Sequence, residues 1–181
     1  MLHANPLLRS RMLAERVSAD AGDAGQARPH LLRAAPQAPM TDPWMGDDFF
    51  HQGAFRMSYG FEYAWGMEGA SVNAGPMPID RYDTYDWYLQ FPSLRDLTER
   101  TGALRLPTWR HFAEHPTYDS VWQNRAFQRA VRGVPVPTLT VGGWWDQEDI
   151  YGPTATYQAL EHFDTAGVNA IVMGPWNHGG W

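Results

Sequence analysis

Val136-Pro137-Thr138-Leu139-Thr140-Val141-Gly142-Gly143 runs into Trp144-Trp145-Asp146-Gln147-Glu148-Asp149. Further on, Asn169-Ala170-Ile171-Val172-Met173-Gly174-Pro175 runs into Trp176-Asn177-His178-Gly179-Gly180-Trp181. Both stretches follow one pattern: an apolar, β-branched run, a break at glycine, then a polar residue beside tryptophan. Buried strands of an open α/β sheet read as continuous apolar runs, and reacting groups gather at their carboxyl ends. The two runs therefore predict strands at Thr138–Val141 and Ile171–Met173, delivering Asp146 and His178 in turn. Between them, Thr154–Phe163 is amphipathic through Ala155, Tyr157, Leu160 and Phe163, as expected of the crossover helix that links two parallel strands.

Upstream, the organisation changes. Leu31–Ala35 is short, apolar and β-compatible, and Pro36 and Pro39 stop it, so a core strand is expected there. Gly46–Trp65 spaces its aromatics compatibly with a helix, and Met67–Asp80, rich in Gly, Pro and Met, reads as a loop. Helices are expected at Thr84–Leu89, capped by Asp83, at Ser93–Thr101, closed by Gly102, and at Pro107–His115. Thr117–Arg132 gives the clearest helical pattern, with apolar Val121, Trp122, Ala126, Phe127, Ala130 and Val131, ending at Gly133. Pro135 and Pro137 then stiffen the return to the strand. Residues 1–27 differ from everything after them. Arg9-Ser10-Arg11 and Ala19-Asp20-Ala21-Gly22-Asp23-Ala24-Gly25-Gln26 read as low-complexity linker or out-of-frame translation, too poor in apolar surface to offset ordering entropy.

Composition narrows the function. A chain of 181 residues can bury one sizeable core, and the absence of cysteine removes disulfide and thiolate chemistry. A formal charge of −6 argues against a polyanionic partner, so nucleic acid is not expected. No apolar run approaches the roughly 20 residues of a membrane span, and Met1-Leu2-His3-Ala4 opens no signal segment. Compartment stays open between cytoplasmic and periplasmic or secreted. Nine Trp, eight Tyr and eight Phe supply a large core, with some left to line a pocket for an aromatic or apolar acyl group.

An Asp and then a His after successive strands is the back half of a nucleophile–acid–histidine triad, in the chain order of α/β hydrolases. The two segments resemble the Asp and His segments of the X-prolyl dipeptidyl peptidase/cocaine esterase-like (CocE/NonD) class of serine hydrolases. Within that class they most resemble the α-amino-acid ester hydrolases and glutaryl-cephalosporin acylase-like acyl esterases. The resemblance runs from about Ala34 to the last residue. It takes in Ala35-Pro36-Gln37-Ala38-Pro39-Met40-Thr41-Asp42, Trp44-Met45-Gly46-Asp47-Asp48-Phe49-Phe50-His51-Gln52-Gly53-Ala54-Phe55-Arg56 and His115-Pro116-Thr117-Tyr118-Asp119. It implies a partial α/β-hydrolase fold, the C-terminal part of the core sheet with an inserted helical cap. Residues 28–48 and 134–181 would then be core, residues 49–133 the cap, and residues 1–27 would stand outside.

The family carries its serine in a Gly-x-Ser-Tyr-x-Gly turn ahead of the segment matching Ala35–Asp42, and this sequence has no such turn. Ser58-Tyr59-Gly60 lacks the first glycine and follows Gly46-Asp47-Asp48, while Ser10 and Ser18 have no apolar strand before them. The strands before the serine, the oxyanion-hole tyrosine and the usual trailing β-sandwich have no counterpart either. The expectation is a truncated serine hydrolase, from a partial gene product or gene model. In its full-length form it would hydrolyse esters or amides, α-amino acyl esters or β-lactam side-chain acyl groups, through an acyl-enzyme; alone it would be inactive. The alternative is a non-catalytic remnant or partner-binding module presenting its aromatic cap.

By this resemblance His178 would take the serine proton and return it to the leaving group, while Asp146 would hold the imidazole tautomer. His3, His30, His51, His111, His115 and His162 have no such setting. Three more acids match the carboxylates that hold a substrate α-ammonium group in α-amino-acid ester hydrolases: Asp48, Glu148 and Asp149. A bland reading stands beside this one, in which Glu148 and Asp149 cap the following helix or sit solvated on a loop. Asp146-x-Glu148-Asp149 also offers clustered oxygens to a hard cation, though EF-hand spacing is absent. Neither a metal nor a cofactor is expected. The expected partner is a small-molecule ester or amide, not a membrane, and homo-oligomerisation of the full-length form is left open.

Overall fold

The computed structural model describes residues 33–134 and 136–181. The low-complexity stretch, Ser10, Ser18, the first residues of the Leu31–Ala35 strand and Pro135 lie outside the described residues. In chain order the elements are β1 (Phe50–His51), β2 (Ala54–Phe55), α1 (Met57–Glu68), α2 (Thr84–Leu89) and α3 (Leu94–Thr101). A 3-10 turn at Ala103–Arg105 precedes α4 (Pro107–Glu114), α5 (Ser120–Gln123), α6 (Phe127–Ala130), β3 (Thr138–Gly143), α7 (Tyr151–Glu161) and β4 (Asn169–Gly174). Two compact units result. One joins the segment up to Gln52 with Ser120–Trp181, and the other is Gly53–Asp119. Among the described residues no helix is long and apolar enough to cross a membrane.

In the first unit β3 and β4 run parallel, in register from Thr138↔Asn169 to Gly143↔Gly174. Both strands stand where the apolar runs place them, with α7 as the crossover packed on them. On the other edge of β3, Ala34 bridges Thr138 and Gln37 bridges Val141, both parallel. The Leu139 and Val141 amides donate to the Ala34 and Pro36 carbonyls at 3.0 and 2.9 Å. The described part of the expected Leu31–Ala35 strand is thus a pair of isolated bridges. Pro36 sits between them, and its missing N–H breaks a regular ladder.

Helix α7 begins three residues before the expected Thr154, and the side chains it buries include Pro153, Thr156 and Leu160. Of the apolar stripe read from the sequence, only Leu160 is buried. The reason is polar: Thr156 Oγ1 lies 2.6 Å from Thr41 Oγ1, and Thr41 Oγ1 also donates to the Gly152 carbonyl at 2.8 Å. The expected long helix Thr117–Arg132 is two short turns, α5 and α6. Ala126 is extended, at φ −70° and ψ 110°, and the Phe127 amide donates to the Thr41 carbonyl at 2.8 Å. A tertiary acceptor has captured the amide that a continuous helix would spend on Gln123. The Gly46–Trp65 pattern is helical only from Met57, after turns and the short strands β1 and β2.

The second unit is built on aromatic packing around Phe61, which is fully buried. Its ring meets Trp109 edge-on at 5.3 Å and Trp87 at 5.6 Å. The helix ends follow their sequence signals. Asp83 accepts from the Tyr85 and Asp86 amides, Ser93 accepts from the Asp96 amide, and Gly102 closes α3 at φ +68°. Pro107 opens α4, where the Glu68 carboxylate takes the Thr108 amide and hydroxyl at 2.9 and 2.6 Å.

Candidate functional site

The loops that follow β3 and β4 are stitched together by backbone. The Trp144 amide donates to the Gly174 carbonyl at 2.8 Å, and the Trp145 amide to the Trp176 carbonyl at 3.1 Å. The Trp176 indole donates to the Gly142 carbonyl at 2.9 Å. This seat requires glycine: a Cβ on Gly143 would run into the Trp176 carbonyl, and one on Gly174 into the Trp176 ring. Two strand ends, fixed to each other, thus present their next polar side chains together.

His178 Nδ1 lies 3.0 Å from Asp146 Oδ2. The Asp146 side chain has no exposed surface, and its other oxygen accepts from the Glu148 and Asp149 amides, both at 2.9 Å. The imidazole itself is 48% exposed, with the Trp181 ring edge-on at 6.3 Å. Trp181 is steadied by its indole bond to Gln37 Oε1 at 2.9 Å. With Nδ1 engaged by a fixed carboxylate, Nε2 is the nitrogen left to exchange a proton.

The other three acids named from the sequence converge on the same place. Glu148 Oε2 and Asp149 Oδ2 lie 3.6 and 3.8 Å from His178 Nδ1. The Asp48 amide donates to the Glu148 carbonyl at 2.9 Å, and Asp48 adopts a left-handed backbone at φ +53°. The Asp149 side chain is only 7% exposed, and its Oδ1 has no hydrogen-bond partner among the described residues. Burial pushes the Asp149 carboxyl up to about 9, and the charges of Asp48, Asp47, Asp146 and Glu148 add to the push. One oxygen each of Asp146 and Glu148 and one nitrogen of His178 fall within 4.8 Å of one another, close enough for a metal ion.

One acid escaped the sequence reading. Asp47 is fully buried, and its carboxylate accepts from the amides of Thr41, Asp42 and Gly152. Burial pushes its carboxyl up to about 7; the three amides pull it down, and Asp48 pushes it further up. Beside Asp48 in the same Gly-Asp-Asp triplet, nothing local separated the two. Ser58 lies inside helix α1 of the second unit, in no strand-to-helix turn.

The model of the X-Pro dipeptidyl-peptidase (S15) family matches residues 22–180. Among solved structures, an aminopeptidase from the marine sediment archaeon Thaumarchaeota archaeon aligns with a TM-score of 0.77 at 41% identity, over 83% of this chain and 25% of its own. An α-amino acid ester hydrolase aligns with a TM-score of 0.76 at 31% identity, over 94% of this chain and 27% of its own. The chain therefore spans about a quarter of the length of each. No curated protein matches it.

Proposed function

The chain belongs to the X-Pro dipeptidyl-peptidase (S15) family, and we propose that it carries the acid and histidine of a serine hydrolase of the acyl esterase and peptidase class. The observation that carries the reading is the bond from His178 to Asp146, made between two adjacent strand ends with the aspartate locked by two amides. In this reading the core is the C-terminal part of an α/β-hydrolase sheet, with residues 49–133 as its inserted helical segment. Asp146 holds the Nδ1–H tautomer and stabilises the imidazolium. His178 Nε2 accepts the proton of a serine hydroxyl as that oxygen attacks an ester or amide carbonyl, then returns it to the leaving group, and water cleaves the acyl-enzyme. The 181 residues hold no Gly-x-Ser-Tyr-x-Gly turn, so by themselves they supply the proton relay and not the nucleophile.

The substrate class follows from the acids. Asp48, Glu148 and Asp149 gather carboxyl groups around the relay, and a bound cation would stabilise the ionised form of Asp149 that burial and its acidic neighbours otherwise disfavour, its Oδ1 having no hydrogen-bond partner among the described residues. An α-ammonium group fits, and by their names the two structural relatives are an aminopeptidase and an α-amino acid ester hydrolase. The reading is an α-amino acyl ester or amide.

The test is a chimera in which residues 33–181 replace the matching quarter of the archaeal aminopeptidase. The folded chimera should hydrolyse amino-acid esters and lose at least roughly a thousandfold in kcat on His178→Ala. Activity that survives His178→Ala in a folded chimera overturns the reading. The 181-residue chain alone should neither turn over esters nor be labelled at a specific serine by a fluorophosphonate.

A further inference from the structure

Asp47 takes no part in the relay, yet its carboxylate is fully buried and accepts from three backbone amides. Its Oδ2 accepts from the Thr41 and Asp42 amides, both at 2.8 Å, and its Oδ1 accepts from the Gly152 amide at 2.7 Å. Two of those amides belong to the segment before it, and the third to the first turn of α7, three residues after Asp149. The approach leaves no slack. A Cβ on Gly152 would run into the Pro39 carbonyl and crowd Asp47 Oδ1. The very next residue, Asp48, is held at φ +53°, a conformation that L side chains avoid, with its amide on the Glu148 carbonyl. Such a conformation persists only where the surroundings over-determine it.

We propose that Asp47 is the positioning residue of the acidic cluster: by clamping the Thr41, Asp42 and Gly152 amides it holds Asp48 left-handed against Glu148. It thereby sets the spacing of Asp48, Glu148 and Asp149. The functional meaning of that spacing rests on the α-ammonium reading above, but the placement itself does not. An aspartate is needed on chemical grounds. Asparagine would turn an NH2 donor toward an amide donor at one end, and glutamate would add a methylene where the side chain has no exposed surface. Ionisation has a definite sign, because a group whose pKa is higher in the clamped state than in an opened, solvated one closes more firmly when protonated. The groups bearing on that charge are Asp42 and Asp48 from its own segment, Asp149 from the loop after β3 and Tyr151 from α7. With the carboxyl pushed up to about 7, the clamp is firmest below that pH and weakens as pH climbs through it.

The experiment measures amide protection factors on the isotopically labelled 181-residue chain through about pH 7. The Asp48 amide should lose about tenfold in protection as Asp47 gives up its proton, together with the Thr41, Asp42 and Gly152 amides. The β3 and β4 amides should hold theirs. Asp47→Asn should fix the loosened state at every pH, and Asp47→Glu, which keeps the charge but not the reach, should do the same. A buried acid serving only global stability would move all amides together and leave Asp48 undistinguished. Unchanged Asp48 protection in Asp47→Asn with an intact sheet overturns the proposal. If that variant does not fold, an Asp48 amide that ignores the titration in the unmodified chain overturns it equally. Loss of the α-ammonium preference is read separately, by comparing amino and non-amino esters in the chimera, so the two ideas fail independently.

Discussion

In the first unit His178 Nδ1 lies 3.0 Å from Asp146 Oδ2, and in the second His115 Nδ1 lies 2.6 Å from Asp119 Oδ2. By distance alone the second pair is the stronger. Its members are four residues apart, and each side chain is about a third exposed, at 28% and 35%. His115 is the residue on which α4 ends, so the bond closes a local turn. The His115 ring also packs against His111, with centroids 4.8 Å apart. The first pair joins residues 32 apart, from the ends of two paired strands. Its aspartate is wholly enclosed and spends its second oxygen on two backbone amides. The difference teaches that a proton relay is recognised by how the acid is anchored and where it comes from, not by how short the bond is.

The largest effect should come from breaking the anchored pair. In the chimera, Asp146→Asn should lower kcat by on the order of a thousandfold or more, because the amide cannot hold the required tautomer. Asp119→Asn should leave kcat within about threefold, since exposed pairs contribute little. Equal losses at the two sites, read by steady-state kinetics, would erase the distinction.

Next come the acids around the relay. Asp48→Ala, Glu148→Ala and Asp149→Ala should each weaken α-amino esters by on the order of 2–5 kcal/mol relative to matched esters lacking the amino group. The ratio of kcat/KM for phenylglycine methyl ester to that for phenylacetic acid methyl ester reads this directly. A ratio unmoved by all three substitutions would make these acids structural.

The third effect is on stability and has a definite sign. The carboxyls of Asp47 and Asp149 are pushed up to about 7 and about 9 from 3.8. The folded chain therefore keeps protons that the unfolded chain has released. Their contribution is fully present below about pH 4 and is lost as pH climbs through 7 and then 9. Melting temperature should fall across that window. Asp149→Asn, neutral at every pH, should flatten the upper part and raise the melting temperature at about pH 8 by a few degrees. A variant whose melting curve tracks the original at all pH values would show that Asp149 is not the group responsible.

The smallest effect belongs to the local pair. Asp119→Asn should cost no more than about 1 kcal/mol in thermal or denaturant unfolding. A loss several times larger would mean that the pair in the second unit holds more than its own turn.

What the sequence made legible was local chemistry. Strands β3 and β4 announce themselves by apolar runs that stop at glycine, and Asp83, Ser93 and Gly102 mark helix ends because capping uses amides a few residues away. Asp146 and His178 were named from the strand-end pattern and the resemblance, and the structure brings them into one hydrogen bond. The long helix at Thr117–Arg132 was illegible, because the acceptor that interrupts it, the Thr41 carbonyl, is 86 residues from Phe127. The same Thr41 turns the polar side of α7 inward through Thr156. Aromatic residues sort just as non-locally: Phe61, Trp87, Trp109 and Trp122 are buried, while Tyr82, Tyr85, Trp144 and Trp145 are exposed. Asp47 and Asp48 are adjacent and chemically identical, and only the folded path of three amides assigns the first to the frame and leaves the second beside Glu148.

The seat of Trp176 has a consequence for heredity. Gly143 and Gly174 are register partners, and each is held to a bare hydrogen by a different part of the same indole-bearing residue, one by its carbonyl and one by its ring. Neither glycine can acquire a side chain while that residue keeps its place. Only a lineage that first traded the indole for something small would release Gly174, and Gly143 would still wait on a shift of the main chain. Among descendants of a common ancestor the three positions should therefore be inherited as a block, changing in a fixed order or not at all. Such an order can be read from sequences alone, without assaying a single enzyme.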